Sequence, residues 1–262
     1  MCYNLDGDDM KFNEILNICN DNFDVILGFN ENEILTINIK DKPSIIITGS
    51  TGTSKSILMH EILLQLINKN SYNDLKIIPI APTRVELIPY TSTKYSYFDV
   101  VSEKEESLET LNKINSLIEE RKKLFLKNDV TNFDSYNKIN KENKLPFIIV
   151  AIDEATDILK YEMSSNILFK LIDNCLNSGI AIVLNTNNVY NEFFEENINT
   201  LANVKISFDF VTSSEDKLVN LNNVHNLELG KFIIKIGNER KQSEYQVINF
   251  DDKYINEILE KI

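Results

Sequence analysis

Several residue types are scarce in this 262-residue sequence, and each scarcity excludes something. Cys2, Cys19 and Cys175 are odd in number and irregularly spaced, which fits free thiols in a reducing compartment rather than a disulfide framework. With only two histidines, His60 and His225, a zinc centre is not expected, and both are read as ordinary core or surface residues. No apolar run approaches the roughly 20 residues of a membrane-spanning helix. The acidic, polar start Met1-Cys2-Tyr3-Asn4-Leu5-Asp6 lacks the form of a secretory signal, so the cytoplasm is the expected location. Tryptophan is absent and glycine is rare, at seven residues, a bias from which no mechanism follows. Positive charge is also short: 27 Lys and Arg against 40 Asp and Glu leave a formal net charge of −13. Such a chain cannot hold nucleic acid over its whole surface, and any contact with phosphates must be local.

What is present is the pattern of an α/β protein. A hydrophobic fraction of 43% with 26% charged residues suits one large globular domain over residues 1–262, with residues 1–42 as a helix-and-hairpin lead-in. Apolar spacing predicts a helix over Met10 to Asn20, a strand from Phe23 and a second strand from Ile34 to Ile39, with Asn30-Glu31-Asn32-Glu33 as the turn between them. Helices are predicted over Ile57 to Ile67, Ser102 to Asn128, Phe133 to Asn143 and Ile167 to Leu176, with a short one from Tyr254 to Ile262. Ile57 and Ile139 are expected to face inward. Between these lie the apolar runs Ile45 to Thr48, Leu75 to Ala81, Phe147 to Ile152 and Ile180 to Thr186, followed by Asn203 to Val211, Lys231 to Ile236 and Tyr245 to Ile248. Pro79 places its run at a sheet edge or strand end, because proline cannot donate to a ladder. Strands alternating with helices predict a mainly parallel central sheet flanked by helices.

Two motifs carry chemistry. Gly49-Ser50-Thr51-Gly52-Thr53-Ser54-Lys55-Ser56 joins a predicted strand to a predicted helix. It matches the phosphate-binding pattern G-x-x-x-x-G-K-[ST] at Gly49, Lys55 and Ser56, with Ser54 in place of the second glycine. Such a loop turns backbone N–H groups and a helix N-terminus toward a nucleotide's phosphates. The second motif is the strand end Asp153-Glu154, directly after Phe147 to Ile152. In nucleotide hydrolases the loop lysine reaches the β- and γ-phosphates, the following hydroxyl binds Mg²⁺, and an acidic residue at a neighbouring strand end holds the metal's water shell. Lys55, Ser56 and Asp153 fit those roles, and Glu154 fits the base that accepts a proton from the attacking water. Taken singly, Lys55-Ser56 could merely open a helix and Asp153-Glu154 merely end a strand.

The order of motifs resembles that of the FtsK/SpoIIIE ATPases, RecA-like P-loop motors that move double-stranded DNA. Beyond the loop and the acidic strand end, the similarity includes Ile77 to Leu87, the helical Glu120-Arg121-Lys122-Lys123-Leu124-Phe125, and Asn132 to Asn137. It extends to Ser178-Gly179-Ile180-Ala181-Ile182-Val183-Leu184-Asn185-Thr186, which resembles the family's Ala-Gly-Ile-x-Leu-x-Leu-Ala-Thr-Gln strand. The resemblance implies ATP and Mg²⁺ as ligands, a homo-oligomeric ring, most simply a hexamer, and double-stranded DNA as the partner. It makes Asn187, which stands where the family has glutamine, the sensor of the γ-phosphate. Family arginines, one of them a finger acting across subunits, fall on Lys205 and Asp209, which implies weakened hydrolysis between subunits. The family's Asp-Pro-Lys becomes Ala81-Pro82-Thr83, with Arg84 and Glu86 nearby. Lys94 and Lys122-Lys123 are candidate pore basics, although a solvated helix face explains the pair equally well. Mobile-element, plasmid and conjugative-coupling members are the nearest in kind, with a membrane-anchored or DNA-reading partner protein supplying what this sequence does not show. Two other readings stay open: an ATPase that moves protein, as in type VII secretion, and a nucleotide-binding scaffold subunit with little hydrolysis.

Overall fold

Among the described residues the strand and helix signals assemble into one nine-stranded sheet with helices on both faces. The computed structural model describes residues 18–81, 86–98, 104–159, 162–187, 201–210, 220–237, 242–248, 252–260 and 262. Most of the helix expected over Met10 to Asn20, and Pro82, Thr83 and Arg84, lie outside these residues. The chain begins with a hairpin of β1 (Asp24–Phe29) and β2 (Ile34–Asn38). Its turn is held by Asn30, whose Oδ1 accepts from the Asn32 N–H at 2.9 Å and the Glu33 N–H at 3.0 Å. There follow β3 (Ser44–Thr48), α1 (Lys55–Lys69), β4 (Leu75–Ile80), a 3-10 turn (Ile88–Tyr90), α2 (Lys104–Lys127), α3 (Phe133–Ile139) and β5 (Phe147–Ile152). The second half adds α4 (Thr156–Leu159), α5 (Glu162–Asn174), β6 (Ile180–Thr186), β7 (Val204–Ser207), β8 (Lys231–Ile236), β9 (Ser243–Gln246) and α6 (Asp252–Leu259).

The strands lie in the order β2-β1-β9-β8-β7-β3-β6-β5-β4. From β7 to β4 all neighbours are parallel; from β7 outward to β2 all are antiparallel. The hairpin expected as a lead-in is thus the far edge of the same sheet, reached through the Phe29–Gln246 pairing with β9. β4 is the opposite edge, which is where Pro79 belongs. Every residue of β3, β5 and β6 is buried, so these strands are covered on both faces. Alternation divides them. Ile45, Ile47, Ile149, Ala151 and Val183 pack in the layer containing α1, while Ile46, Ile148, Val150, Ile182 and Leu184 pack in the layer containing α2 and α5.

Two burial expectations fail, each at a helix end: Ile57, in the first turn of α1, is 40% exposed, and Ile139, the last residue of α3, is 57% exposed. α1 instead buries the polar Gln65 completely. Its carboxamide accepts from the Ile26 N–H at 2.8 Å and donates to the Ile26 carbonyl at 2.9 Å, satisfying backbone groups beside the register shift between Ile26 and Gly28. On α2, Arg121 is also buried and serves the fold. Its guanidinium donates to the carbonyls of Ser178 (3.0 Å), Gly179 (2.9 Å) and Pro146 (2.8 Å), joining α2 to the starts of β5 and β6.

Candidate functional site

Thr48, the last residue of β3, is in register with Thr186 of β6 and Ser207 of β7. The chain therefore leaves the sheet between two neighbours at the carboxyl ends of parallel strands, where open α/β sheets take their ligands. Gly49 turns away at a φ of +140°, and a Cβ there would stand 2.9 Å from Phe208 Cβ, so only glycine fits. Ser54 takes the left-handed conformation, φ 75° and ψ 12°, that the pattern's glycine would adopt freely, and its side chain does not cap α1. The loop keeps its form at the cost of backbone strain. Lys55, the first residue of α1, is buried, and its ammonium donates to the Ser50 carbonyl at 2.7 Å. The Thr53 hydroxyl donates to the same carbonyl at 2.7 Å, and the Ser50 N–H donates to the Asp209 carbonyl at 2.8 Å.

The acidic strand end faces this loop across α1. The Asp153 N–H donates to the Ile80 carbonyl (2.9 Å) and the Ala155 N–H to the Asn185 carbonyl (2.8 Å), so the turn after β5 is pinned between the ends of β4 and β6. The Ser56 hydroxyl donates to Asp153 Oδ1 at 3.3 Å, and Asn185 Nδ2 donates to the same oxygen at 2.8 Å. Among the described residues, Asp153 Oδ2 and Asn185 Oδ1 are buried without hydrogen-bond partners. Two orphaned acceptors beside a serine hydroxyl are a hard-oxygen donor set with one carboxylate. It fits Mg²⁺, a cation that keeps several waters and draws other ligands from phosphates.

Glu154 sits in a left-handed turn, φ 59°, and is buried. Its Oε1 accepts from the Thr156 hydroxyl and, at 3.4 Å, from the Asn187 N–H. The Thr156 oxygen also lies 3.0 Å from Asn187 Oδ1, while Asn187 Nδ2 donates to the phosphate loop's Thr51 hydroxyl at 3.3 Å. The shorter amide therefore does reach from the acidic turn to the loop. Sequence reasoning missed Thr156 and Asn185; a threonine and an asparagine carry no signal until the strand ends converge. His60, one turn after Ser56, lies 2.9 Å through Nδ1 from the Tyr90 hydroxyl. Burial lowers its pKa from the ordinary histidine value, against the pull of Asp153 and Glu86.

Of the two positions aligned with family arginines, Lys205 is buried and Asp209 half-buried. Lys205 on β7 is 5% exposed, and burial, helped by Lys235, pushes its pKa down to about 8. The Asp209 carboxylate accepts from the N–H groups of Asn226 (2.6 Å) and Leu227 (3.2 Å) of its own chain. Of the candidate pore basics, Lys122 bonds Glu119 and Asn174 on the α2–α5 side, while Lys94 and Lys123 are exposed.

The FtsK/SpoIIIE family model matches residues 20–206, which include the loop, the acidic turn and the Asn187 strand end. The chain belongs to the FtsK/SpoIIIE family. DNA translocase FtsK of Clostridium tetani is 31% identical over 152 residues, covering 56% of this chain and 20% of the relative. DNA translocase SftA of Bacillus subtilis is 30% identical over 129 residues, covering 48% of this chain and 14% of the relative. The matched stretch is thus a fifth or less of these relatives' length. Among solved structures, the pCW3 conjugation coupling protein TcpA with ATPγS superposes with a TM-score of 0.71 at 20% identity, over 93% of this chain and 72% of TcpA. ATPases 2 and 3 of EssC from Geobacillus thermodenitrificans give a TM-score of 0.74 at 21% identity, over 91% of this chain and 48% of that one. At these identities the structures establish the fold, that of a P-loop ATPase domain. No helix among the described residues is long and apolar enough to cross a membrane.

Proposed function

We propose that this FtsK/SpoIIIE-family domain is a Mg²⁺-dependent ATPase that moves double-stranded DNA, working in the cytoplasm as a homo-oligomeric ring, a hexamer by family resemblance. The observation that carries this reading is the contact of Ser56 with Asp153 beside the orphaned Asp153 Oδ2, at the mouth of the phosphate loop. When bound, ATP would supply the phosphoanhydride to be cleaved and Mg²⁺ would supply positive charge beside its phosphates. The protein's own part follows from its geometry. Backbone N–H groups from Gly49 to Ser54 cradle phosphate, and Lys55 exchanges the Ser50 carbonyl for phosphate oxygens. Ser56 and Asp153 hold the cation and its waters. Glu154 takes the proton of the attacking water, and Asn187 fixes the span between Thr51 and Glu154. A membrane-anchored or DNA-reading partner would supply attachment or sequence choice.

The names of the relatives, DNA translocase and conjugation coupling protein, support DNA as the cargo. A cleft of about 410 Å³ adds modest support: Lys138, Lys141 and Lys144 border it, while its fourth lysine, Lys40, is paired with Asp134 at 2.7 Å and Asp74 also lines it. The net charge of −13 favours the second reading, in which the domain moves polypeptide. ATP turnover measured with and without duplex DNA, for wild type, Lys55→Ala and Glu154→Gln, tests the proposal. Wild-type turnover should rise with DNA and fall by at least about 10²-fold in either variant. Equal, slow turnover in all three, indifferent to DNA, would refute the motor and leave a nucleotide-binding scaffold. Turnover without salt-dependent DNA binding would transfer the reading to polypeptide.

A further inference from the structure

The carboxamide of Asn185 is the buried group at this site that the roles above leave unused. It is 1% exposed at the penultimate position of β6, where the family's strand pattern has alanine. Its Nδ2 donates to Asp153 Oδ1 at 2.8 Å, the oxygen that also receives the Ser56 hydroxyl at 3.3 Å. With Oδ1 occupied by two donors, the other carboxylate oxygen, Oδ2, is the one left for a ligand, and it is buried and unpartnered. Asn185 Oδ1, on the neighbouring side chain, is a second buried acceptor without a partner among the described residues. Burying an acceptor without a hydrogen bond is unfavourable, so an arrangement that retains two beside a serine hydroxyl is suited to a ligand presenting several O–H donors. A hydrated divalent cation is such a ligand, because its waters donate strongly and it prefers oxygen neighbours.

Resting on the Mg²⁺–nucleotide reading, we propose that Asn185 is a positioning residue of the metal site, orienting Asp153 through Nδ2 and accepting a hydrogen bond from a metal-bound water through Oδ1. The amide orientation follows from chemistry: with Oδ1 and Nδ2 exchanged, two acceptors would face each other at 2.8 Å. Asn185 thereby adds a polar contact that an alanine at this position lacks.

Asn185→Ala tests this, since alanine is the residue of the family pattern and is compatible with a buried strand. Mn²⁺ serves as the probe. Its affinity is measured by electron paramagnetic resonance in the presence of ADP, ADP affinity is measured separately in excess EDTA, and the waters on bound Mn²⁺ are followed by proton relaxation. The variant should bind Mn²⁺ about tenfold more weakly, with altered relaxation and metal-free ADP affinity unchanged. Mn²⁺ affinity within twofold of wild type, or an equal loss of ADP affinity in EDTA, would overturn the proposal and leave Asn185 a packing residue. A wild type that binds ADP but no Mn²⁺ beside it would refute the metal reading itself, an outcome separate from a failure of Asn185 alone.

Discussion

Replacing Ser54 by glycine should make the protein more stable and its phosphate loop easier to close on a nucleotide. Ser54 holds φ 75° and ψ 12° at the N-cap of α1 with no side-chain hydrogen bond to the helix. The left-handed conformation costs an L-residue roughly 1–2 kcal/mol, and serine recovers none of it by capping. Glycine removes that cost but gives back about 0.5–1 kcal/mol through the greater freedom of its unfolded chain. The net gain is about 0.5–1 kcal/mol. For a chain of this length such a gain raises Tm by roughly 1–4 °C. Urea or thermal unfolding of wild type, Ser54→Gly and Ser54→Ala decides the matter. Alanine keeps the Cβ and the strain, so it should show no gain. If alanine stabilises as much as glycine, the strain is not at this dihedral and the reasoning fails. Glycine should also tighten ADP binding a few-fold, because the backbone can then meet phosphate without distortion.

Two further predictions concern charges buried in the fold. Arg121→Met should lower unfolding stability by about 3 kcal/mol, because it leaves the Ser178, Gly179 and Pro146 carbonyls without their donor; denaturant melts measure it, and a loss under 1 kcal/mol would show that water replaces the guanidinium. Lys205, with a pKa near 8 in the fold against an ordinary 10.5, gives up its proton on folding between those values. The unfolded chain then binds more protons, so this group's contribution to stability rises as pH climbs through that window and is flat below it. Cys175, pushed up to about 12 by burial, opposes the trend as pH passes its ordinary 9. The difference between wild type and Lys205→Met, from melts at pH 7 to 10, isolates the lysine; a difference that does not change with pH would refute the inward, desolvated placement.

The candidate nucleotide site was legible because its residues are local in sequence. Gly49, Lys55 and Ser56 lie within eight residues of one another, and Asp153-Glu154 follow an unbroken apolar, mainly β-branched run with the composition of a buried strand. Pro79 declared its edge for an equally local reason, the missing N–H. Asn185 and Thr156 were invisible. They matter through contacts with Asp153, Glu154 and Asn187, set by the register of β5 against β6. Gln65 and Arg121 were hidden in the same way, as polar residues on apolar stripes whose partners are backbone groups of distant strands.

Residue pattern alone therefore determined the class of fold and pointed to the candidate phosphate loop and acidic pair, since period, β-branching and glycine placement act within a few residues. Tertiary structure decided what one-dimensional spacing cannot carry. It made the leading hairpin the far edge of the sheet, turned Lys205 inward, and brought Asn187 from the end of β6 to Thr51 in the loop. These are consequences of strand order and register, fixed only when both faces of the sheet are buried together.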